Sequence, residues 1–191
     1  SGRGQAYLLT GHKWFFSAPM CDAHLVVAKT EQDGLACFFV PRWLEDGTKN
    51  NIHIQRLKDK VGNKSNSSSE VEFKDAWGIM IGEAGRGIPT IIEMANYTRL
   101  TCVVGSSAMQ RQALVQCLSY TRQRKAFGHV LAEQPLMQAV LTDLALETEA
   151  SVQLSFHLAH CYESNDKLCL AWKRIMTPAA KFWVCKRTVE L

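Results

Sequence analysis

The strongest constraint on this chain is a change of period at its centre. Before Gly82-Glu83-Ala84-Gly85-Arg86-Gly87 the apolar residues alternate or gather in short β-rich runs, and after it they recur every three or four residues. Period two specifies strands half-buried on a sheet, and period 3.6 specifies amphipathic helices. The chain is therefore expected to be α+β, with sheet and helices segregated along the sequence.

Seven β segments are expected: Gln5 to Leu9, Trp14 to Phe16, His24 to Lys29, Ala36 to Val40, Asn51 to Arg56, Ser69 to Phe73 and Gly78 to Ile81. Asp33-Gly34 and Asp46-Gly47 are turn dipeptides between them. Together they suit an antiparallel β domain over residues 1–85, built as two packed sheets or a partial barrel. The polar run Asn63 to Ser69 is closely flanked by strands and reads as a loop within that domain. Residues 86–191 suit part of an antiparallel helical bundle. One long helix, or two abutting ones, should end near Gln123; a second helix should start at Glu133-Gln134-Pro135 and run towards Tyr162; a third should follow Asn165-Asp166. The chain starts at Ser1 rather than Met and stops at Thr188-Val189-Glu190-Leu191 within a helical pattern, so both ends are expected to be cut.

Composition narrows the function. At 47% hydrophobic and 21% charged the 191 residues are globular in type, and the net charge of +4 comes from scattered Lys and Arg. Nucleic-acid binding is not expected of such a dispersed charge, although a mild basic excess suits anionic ligands. Seven widely spaced cysteines without a CxxC pair read as reduced thiols, which points to an intracellular protein. No run of about 18 apolar residues is present to span a membrane. The six histidines lack ligand spacing; His157 and His160 lie three apart but without a third ligand beside them, so no metal site is expected. Paired carboxylates such as Glu147 and Glu149 fall on different helix faces and read as solvated surface.

Two features carry chemistry. Trp14-Phe15-Phe16-Ser17, before Pro19, joins aromatic bulk to a hydroxyl at the end of a strand. That pattern suits a core strand, and equally the wall and edge donor of a planar cofactor. Arg122-Gln123-Arg124-Lys125-Ala126-Phe127-Gly128 is a cationic cluster where a helix ends. It suits a helix C-terminus capped by glycine, and equally a diphosphate anchor.

Taken in order, these segments resemble the acyl-CoA dehydrogenase family over essentially the whole chain. Gly11-His12-Lys13-Trp14-Phe15-Phe16-Ser17 is similar to that family's middle-domain motif. Leu57-Lys58-Asp59-Lys60-Val61-Gly62, Val71-Glu72-Phe73-Lys74-Asp75 and Ile81 to Gly87 resemble the run that closes the β domain, and Arg124-Lys125-Ala126-Phe127-Gly128 resembles the Arg-x-x-Phe-Gly signature. Asp59-Lys60-Val61-Gly62-Asn63-Lys64-Ser65-Asn66 and Thr177-Pro178-Ala179-Ala180-Lys181-Phe182 point to the AidB-like branch.

The resemblance implies an FAD-dependent enzyme that oxidises acyl-CoA thioesters at Cα–Cβ. Trp14 or Phe15 would face the isoalloxazine, and Ser17 would hydrogen-bond its edge. Arg124, Phe127 and Gly128 would meet the diphosphate and adenosine side, typically of a neighbouring subunit. Gln134 stands beside Pro135, where the family's glutamine contact falls. Arg99 would line the acyl-CoA end. The general-base glutamate is expected beyond residue 191, so no residue here is assigned as base. A homodimer or homotetramer is implied, with an electron-transferring flavoprotein as redox partner. The alternatives are a non-catalytic flavoprotein that sequesters acyl-CoA or acts in regulation or DNA protection, and an acyl-CoA oxidase.

Overall fold

The computed structural model describes residues 3–31 and 34–191, and it divides into two compact units, with the boundary between Glu93 and Met94. The first holds strands β1 (Ala6–Phe16), β2 (Ala23–Thr30), β3 (Gly34–Pro41), β4 (Ile52–Leu57) and β5 (Ser69–Ile81). Helix α1 (Gly87–Gln123) leads into the second, which holds the short strands β6 (Lys125–Ala126) and β7 (His129–Val130), and helices α2 (Pro135–Glu163) and α3 (Lys167–Glu190). Asp33 of the first turn dipeptide lies outside the described residues. At the second, Gly47 takes φ +79° and its N–H donates to the Leu44 carbonyl at 3.0 Å, the turn expected there.

All five strands of the first unit are antiparallel and organised on β5. β1 occupies one edge of β5, and the other edge is shared: β4 pairs with Ser69–Phe73 and β3 with Ile79–Ile81. Between these stretches β5 lacks a strand partner on that side, and Asn50 supplies one. Its side chain, 4% exposed, donates to the carbonyls of Pro41 and Trp77 at 2.7 and 2.8 Å and accepts from the N–H groups of Trp77 and Asn51, both at 2.9 Å. Buried backbone groups need such partners, and a single amide provides both a donor and an acceptor. The sheet is curled. β1 and β2 end the pairing order, yet the Lys13 Nζ donates to the Val27 carbonyl at 2.9 Å and the rings of Phe16 and His24 lie 4.6 Å apart. A single curled sheet is thus the outcome of the two arrangements the sequence left open. Its interior is filled by Leu9, Val26, Phe38, Val40, Ile52, Phe73 and Met80, each contributing about 1.5–3 kcal/mol by burial.

Two expected pairs of short strands are in fact single long ones. β1 merges Gln5–Leu9 with Trp14–Phe16, and β5 merges Ser69–Phe73 with Gly78–Ile81, because bulges interrupt their alternation. On β5 the inward residues are Val71 and Phe73, then Ala76 and Met80. The change of parity comes where Leu9↔Ala76 is followed by Gly11↔Phe73, which gives β5 one residue more than β1. Asp75 there takes φ +54° and is held by Thr10, whose hydroxyl donates to the Asp75 carboxylate at 2.8 Å and accepts from its N–H at 3.2 Å.

Glu70 marks a second irregularity. Lys13↔Val71 is followed by Phe16↔Ser69, so Trp14 and Phe15 together oppose Glu70; on the other side Ile54↔Val71 is followed by Arg56↔Glu70, which leaves Gln55 extra. Both neighbouring strands therefore bulge around one carboxylate. Glu70 accepts from Arg56 Nε at 2.8 Å and Nη2 at 2.7 Å, and from Lys58 Nζ at 2.8 Å. These cations hold its carboxyl down at about 2, against an ordinary 4.5. The loop from Lys58 to Ser68 is ordered around Lys60, whose ammonium donates to the carbonyls of Asn63 and Asn66 at 2.6 and 2.7 Å.

In the second unit α2 runs antiparallel to α1 and α3. Tyr162 of α2 donates to the Asn96 carbonyl at 3.0 Å, while Ser155 donates to Ser107 at 3.0 Å; Tyr162 also meets Thr177 of α3 at 3.1 Å. Val103, Leu158, Ala180 and Val184 form the apolar centre. Asp166 caps α3 by accepting from the N–H groups of Leu168 and Cys169 at 2.8 and 3.2 Å, the use of an N-cap carboxylate. Glu147 departs from the solvated role expected of it: Arg187 of α3 donates to it at 3.0 Å. Glu149 is exposed. All seven cysteines are free thiols.

Two measurements check these features. Asn50→Ala should lower the unfolding free energy in urea by about 3 kcal/mol, because it strips partners from backbone groups at an interior edge. Because the Glu70 carboxyl is depressed, its ion pairs contribute fully above about pH 4.5 and are lost as pH falls through about 2; linkage then requires that the stability gap between wild type and Glu70→Gln narrow over that window.

Candidate functional site

Because β1 bulges opposite Glu70, two consecutive aromatic rings face the same cation. The Lys58 ammonium lies 3.3 Å from the centroid of the Trp14 ring and 4.6 Å from that of Phe15, and the Arg56 guanidinium lies 5.9 Å from Trp14. The Lys58 side chain is only 7% exposed, so its charge is poorly hydrated and its attraction to the rings is correspondingly strong. The rings themselves are open, Trp14 at 59% and Phe15 at 65% exposure. Phe16, by contrast, turns inward against His24 and Phe73. Ser17 follows the strand and is exposed. A pair of uncovered rings with a hydroxyl beside them is a surface that a flat heterocycle can cover.

The second group sits after α1. Arg124 continues the helix by one bond, its N–H donating to the Tyr120 carbonyl at 2.9 Å, and the chain then forms the hairpin β6–β7. Phe127 and Gly128 are its two turn residues, with φ +54° and +82°. Gly128 therefore does not cap the helix, as sequence allowed, but completes a two-residue hairpin turn in which both residues need positive φ. Asn-Gly is the usual pair in such a turn, and a phenylalanine in the left-handed region is strained. Phe127 nevertheless holds that conformation with 95% of its surface exposed. Strained backbone conformations cluster at functional sites, which makes this turn a candidate one. Gln134 braces the turn by donating to the Ala126 carbonyl at 3.0 Å. Arg122, Arg124 and Lys125 surround it, all exposed.

Arg99 is separate from this hairpin. It is half-buried on α1, two residues from Tyr97, with its Nη1 donating to Asn96 Oδ1 at 2.9 Å; the Tyr97 ring meets that of Tyr162 edge-on at 5.1 Å. From Arg99 to the end of α1 at Gln123 runs a stretch of helix roughly 36 Å long. The structure thus gathers Arg124, Phe127, Gly128 and Gln134 into one place, Trp14, Phe15 and Ser17 into another, and leaves Arg99 apart from the hairpin.

Glu70, Lys58 and Arg56 were not singled out by sequence reasoning. Their convergence depends on cross-strand register, and the sequence offers as signal an acidic residue within an apolar β run, 12 and 14 positions after two basic ones. Among the described residues no three His, Cys, Asp or Glu are placed to hold a metal, and no helix is long and apolar enough to cross a membrane. His157 instead packs edge-on against Trp172 at 4.4 Å.

Comparison with known proteins agrees with this architecture. The acyl-CoA dehydrogenase middle domain matches residues 1–76, and the acyl-CoA dehydrogenase C-terminal domain matches residues 85–191. AidB of Escherichia coli strain K12 is 50% identical over 183 residues, which are 95% of this chain and 34% of AidB. Caenorhabditis elegans ACDH-11, crystallised in complex with C11-CoA, superposes with a TM-score of 0.87 at 29% identity, over 97% of this chain and 34% of its own. A Bacillus anthracis acyl-CoA dehydrogenase complexed with FAD shares the fold, with a TM-score of 0.69 at 21% identity over 96% of this chain and 32% of its own. The chain thus spans about a third of the length of each of these proteins. With two family domains matched in sequence order on the curled sheet and helices described above, the chain belongs to the acyl-CoA dehydrogenase family.

Proposed function

We propose that the protein carrying this chain is an FAD-dependent acyl-CoA dehydrogenase, which takes a proton from Cα and a hydride from Cβ of an acyl-CoA thioester and leaves an enoyl-CoA. The observation that carries this reading is the uncovered ring pair Trp14–Phe15, fixed from one side by Lys58 and bordered by Ser17. FAD, when bound, supplies the two-electron acceptor. The residues present fit it at two places. Trp14 and Phe15 exclude water from one side of a flat ring system, and the Ser17 hydroxyl can donate to its edge. At the hairpin, Arg124 offers a two-pronged donor to a diphosphate, and Phe127 offers an exposed ring for stacking. The chemistry of dehydrogenation needs only positioning from these groups, since the proton is taken by a carboxylate that we assign to no residue of this chain.

Acyl-CoA as substrate draws support from the C11-CoA bound to ACDH-11 and from the family as a whole. Arg99 is proposed to line the acyl-CoA end. A second copy of the chain is proposed to complete the cofactor site, as the resemblance to the family implies.

Anaerobic titration of the full-length flavin-loaded protein with acyl-CoAs of graded length should bleach the oxidised-flavin absorbance for one length class. Binding without bleaching would contradict the dehydrogenase reading and favour a sequestering flavoprotein; rapid oxygen consumption without another acceptor would favour an oxidase. Phe127→Asn should separate site from fold, since Asn suits the turn. Its thermal midpoint should equal or exceed that of wild type while its FAD dissociation constant rises roughly tenfold, the loss expected of one stacking contact.

A further inference from the structure

We propose that Glu70 is a positioning residue for the aromatic wall, acting through Lys58, with Arg56 as its second anchor, to fix the orientation of the Trp14 and Phe15 rings. This rests on reading those rings as part of the flavin site. Side chains that are 59% and 65% exposed are not locked by core packing, and a binding surface needs its rotamers held by something else. The Lys58 ammonium lies over both rings, at 3.3 and 4.6 Å from their centroids. A lysine on a four-carbon stem does not hold such a place unaided. Glu70 Oε1 fixes it at 2.8 Å, and the same oxygen receives both Arg56 donors.

The backbone is arranged for this contact. Strand bulges on both sides of Glu70 put Trp14 and Phe15 opposite it on β1 and Arg56 opposite it on β4. A regular ladder would send Trp14 and Phe15 to opposite faces of the sheet, and only one ring could meet the cation. Glu70 is also 7% exposed, in a strand whose neighbours Val71 and Phe73 are core residues. A carboxylate kept at that depth, with two cations converging on one oxygen, exceeds what strand pairing requires. Without its charge, Lys58 and Arg56 repel each other, and Lys58 leaves the rings for solvent.

The test uses the full-length protein with Glu70→Gln, Lys58→Met and Lys58→Arg. In the flavin-free form, acrylamide quenching of Trp14 emission, isolated by difference against Trp14→Phe, reads ring mobility. In the FAD-loaded form, the visible circular dichroism of the flavin and the FAD dissociation constant read the wall. Lys58→Met and Glu70→Gln should each raise Trp14 quenching, change the flavin dichroism and weaken FAD roughly tenfold, as loss of a desolvated cation–π contact implies. Lys58→Arg should retain most of the wild-type signature, and the double variant should be no worse than either single one. Unchanged quenching and dichroism in Lys58→Met would overturn the proposal, and that variant stands even if Glu70→Gln fails to fold. If Trp14→Phe and Phe15→Ala together leave FAD binding unchanged, the wall reading itself fails. If they weaken it while Lys58→Met does not, only the positioning role fails.

Discussion

β5 has a single edge available for two strands, and the first unit depends on how that edge is divided. β4 takes one end, β3 takes the other, and the Asn50 side chain satisfies the backbone between them. Sharing an edge lets the sheet curl until β1 and β2, its terminal strands, come within side-chain reach. The curl encloses the apolar interior. It also leaves the outer end of β1 uncovered, where Trp14, Phe15 and Ser17 stand.

The same strand carries Glu70, around which both neighbouring strands bulge. Bulges are the means by which a sheet departs from strict alternation, and here two of them face one carboxylate. One consequence is that adjacent residues, which an unbroken strand would separate, act as a pair. Another is that a buried charge is matched by two cations rather than left alone, which the low dielectric of an interior demands. The second exposed feature, the Phe127-Gly128 turn, differs: there the backbone holds an unfavourable conformation and the ring stands open to solvent.

Much of this was legible in the sequence. The period change at Gly82–Gly87 placed sheet and helices correctly, and the Pro135 and Asp166 signals located the starts of α2 and α3, because these depend on local rules of helix initiation. The bulged strands were not legible as single strands. At Thr10–Gly11 and Lys74–Asp75 the alternation breaks, and reading by period divides what pairing with a neighbour keeps whole. Gly128 was open to misreading as a helix cap for a similar reason, since a glycine after a helix and a glycine in a tight hairpin look alike until the partner strand is seen. Trp14-Phe15-Phe16-Ser17 was visible as a motif, but which rings face outward was decided by a bulge opposite Glu70. The cluster of Glu70, Lys58 and Arg56 is a product of register between strands separated by a loop, and no periodicity in the sequence announces it.

The central claim is the proposal that the outer end of β1 and the Phe127-Gly128 hairpin are each a flavin-binding surface. An experimental structure of the full-length protein loaded with FAD tests it most directly. The account predicts the isoalloxazine against Trp14 or Phe15 with the Ser17 hydroxyl at its edge, and the diphosphate or adenosine against Arg124 and Phe127 of a neighbouring copy. Flavin bound elsewhere, with the ring pair and the hairpin both still open to solvent, would contradict it.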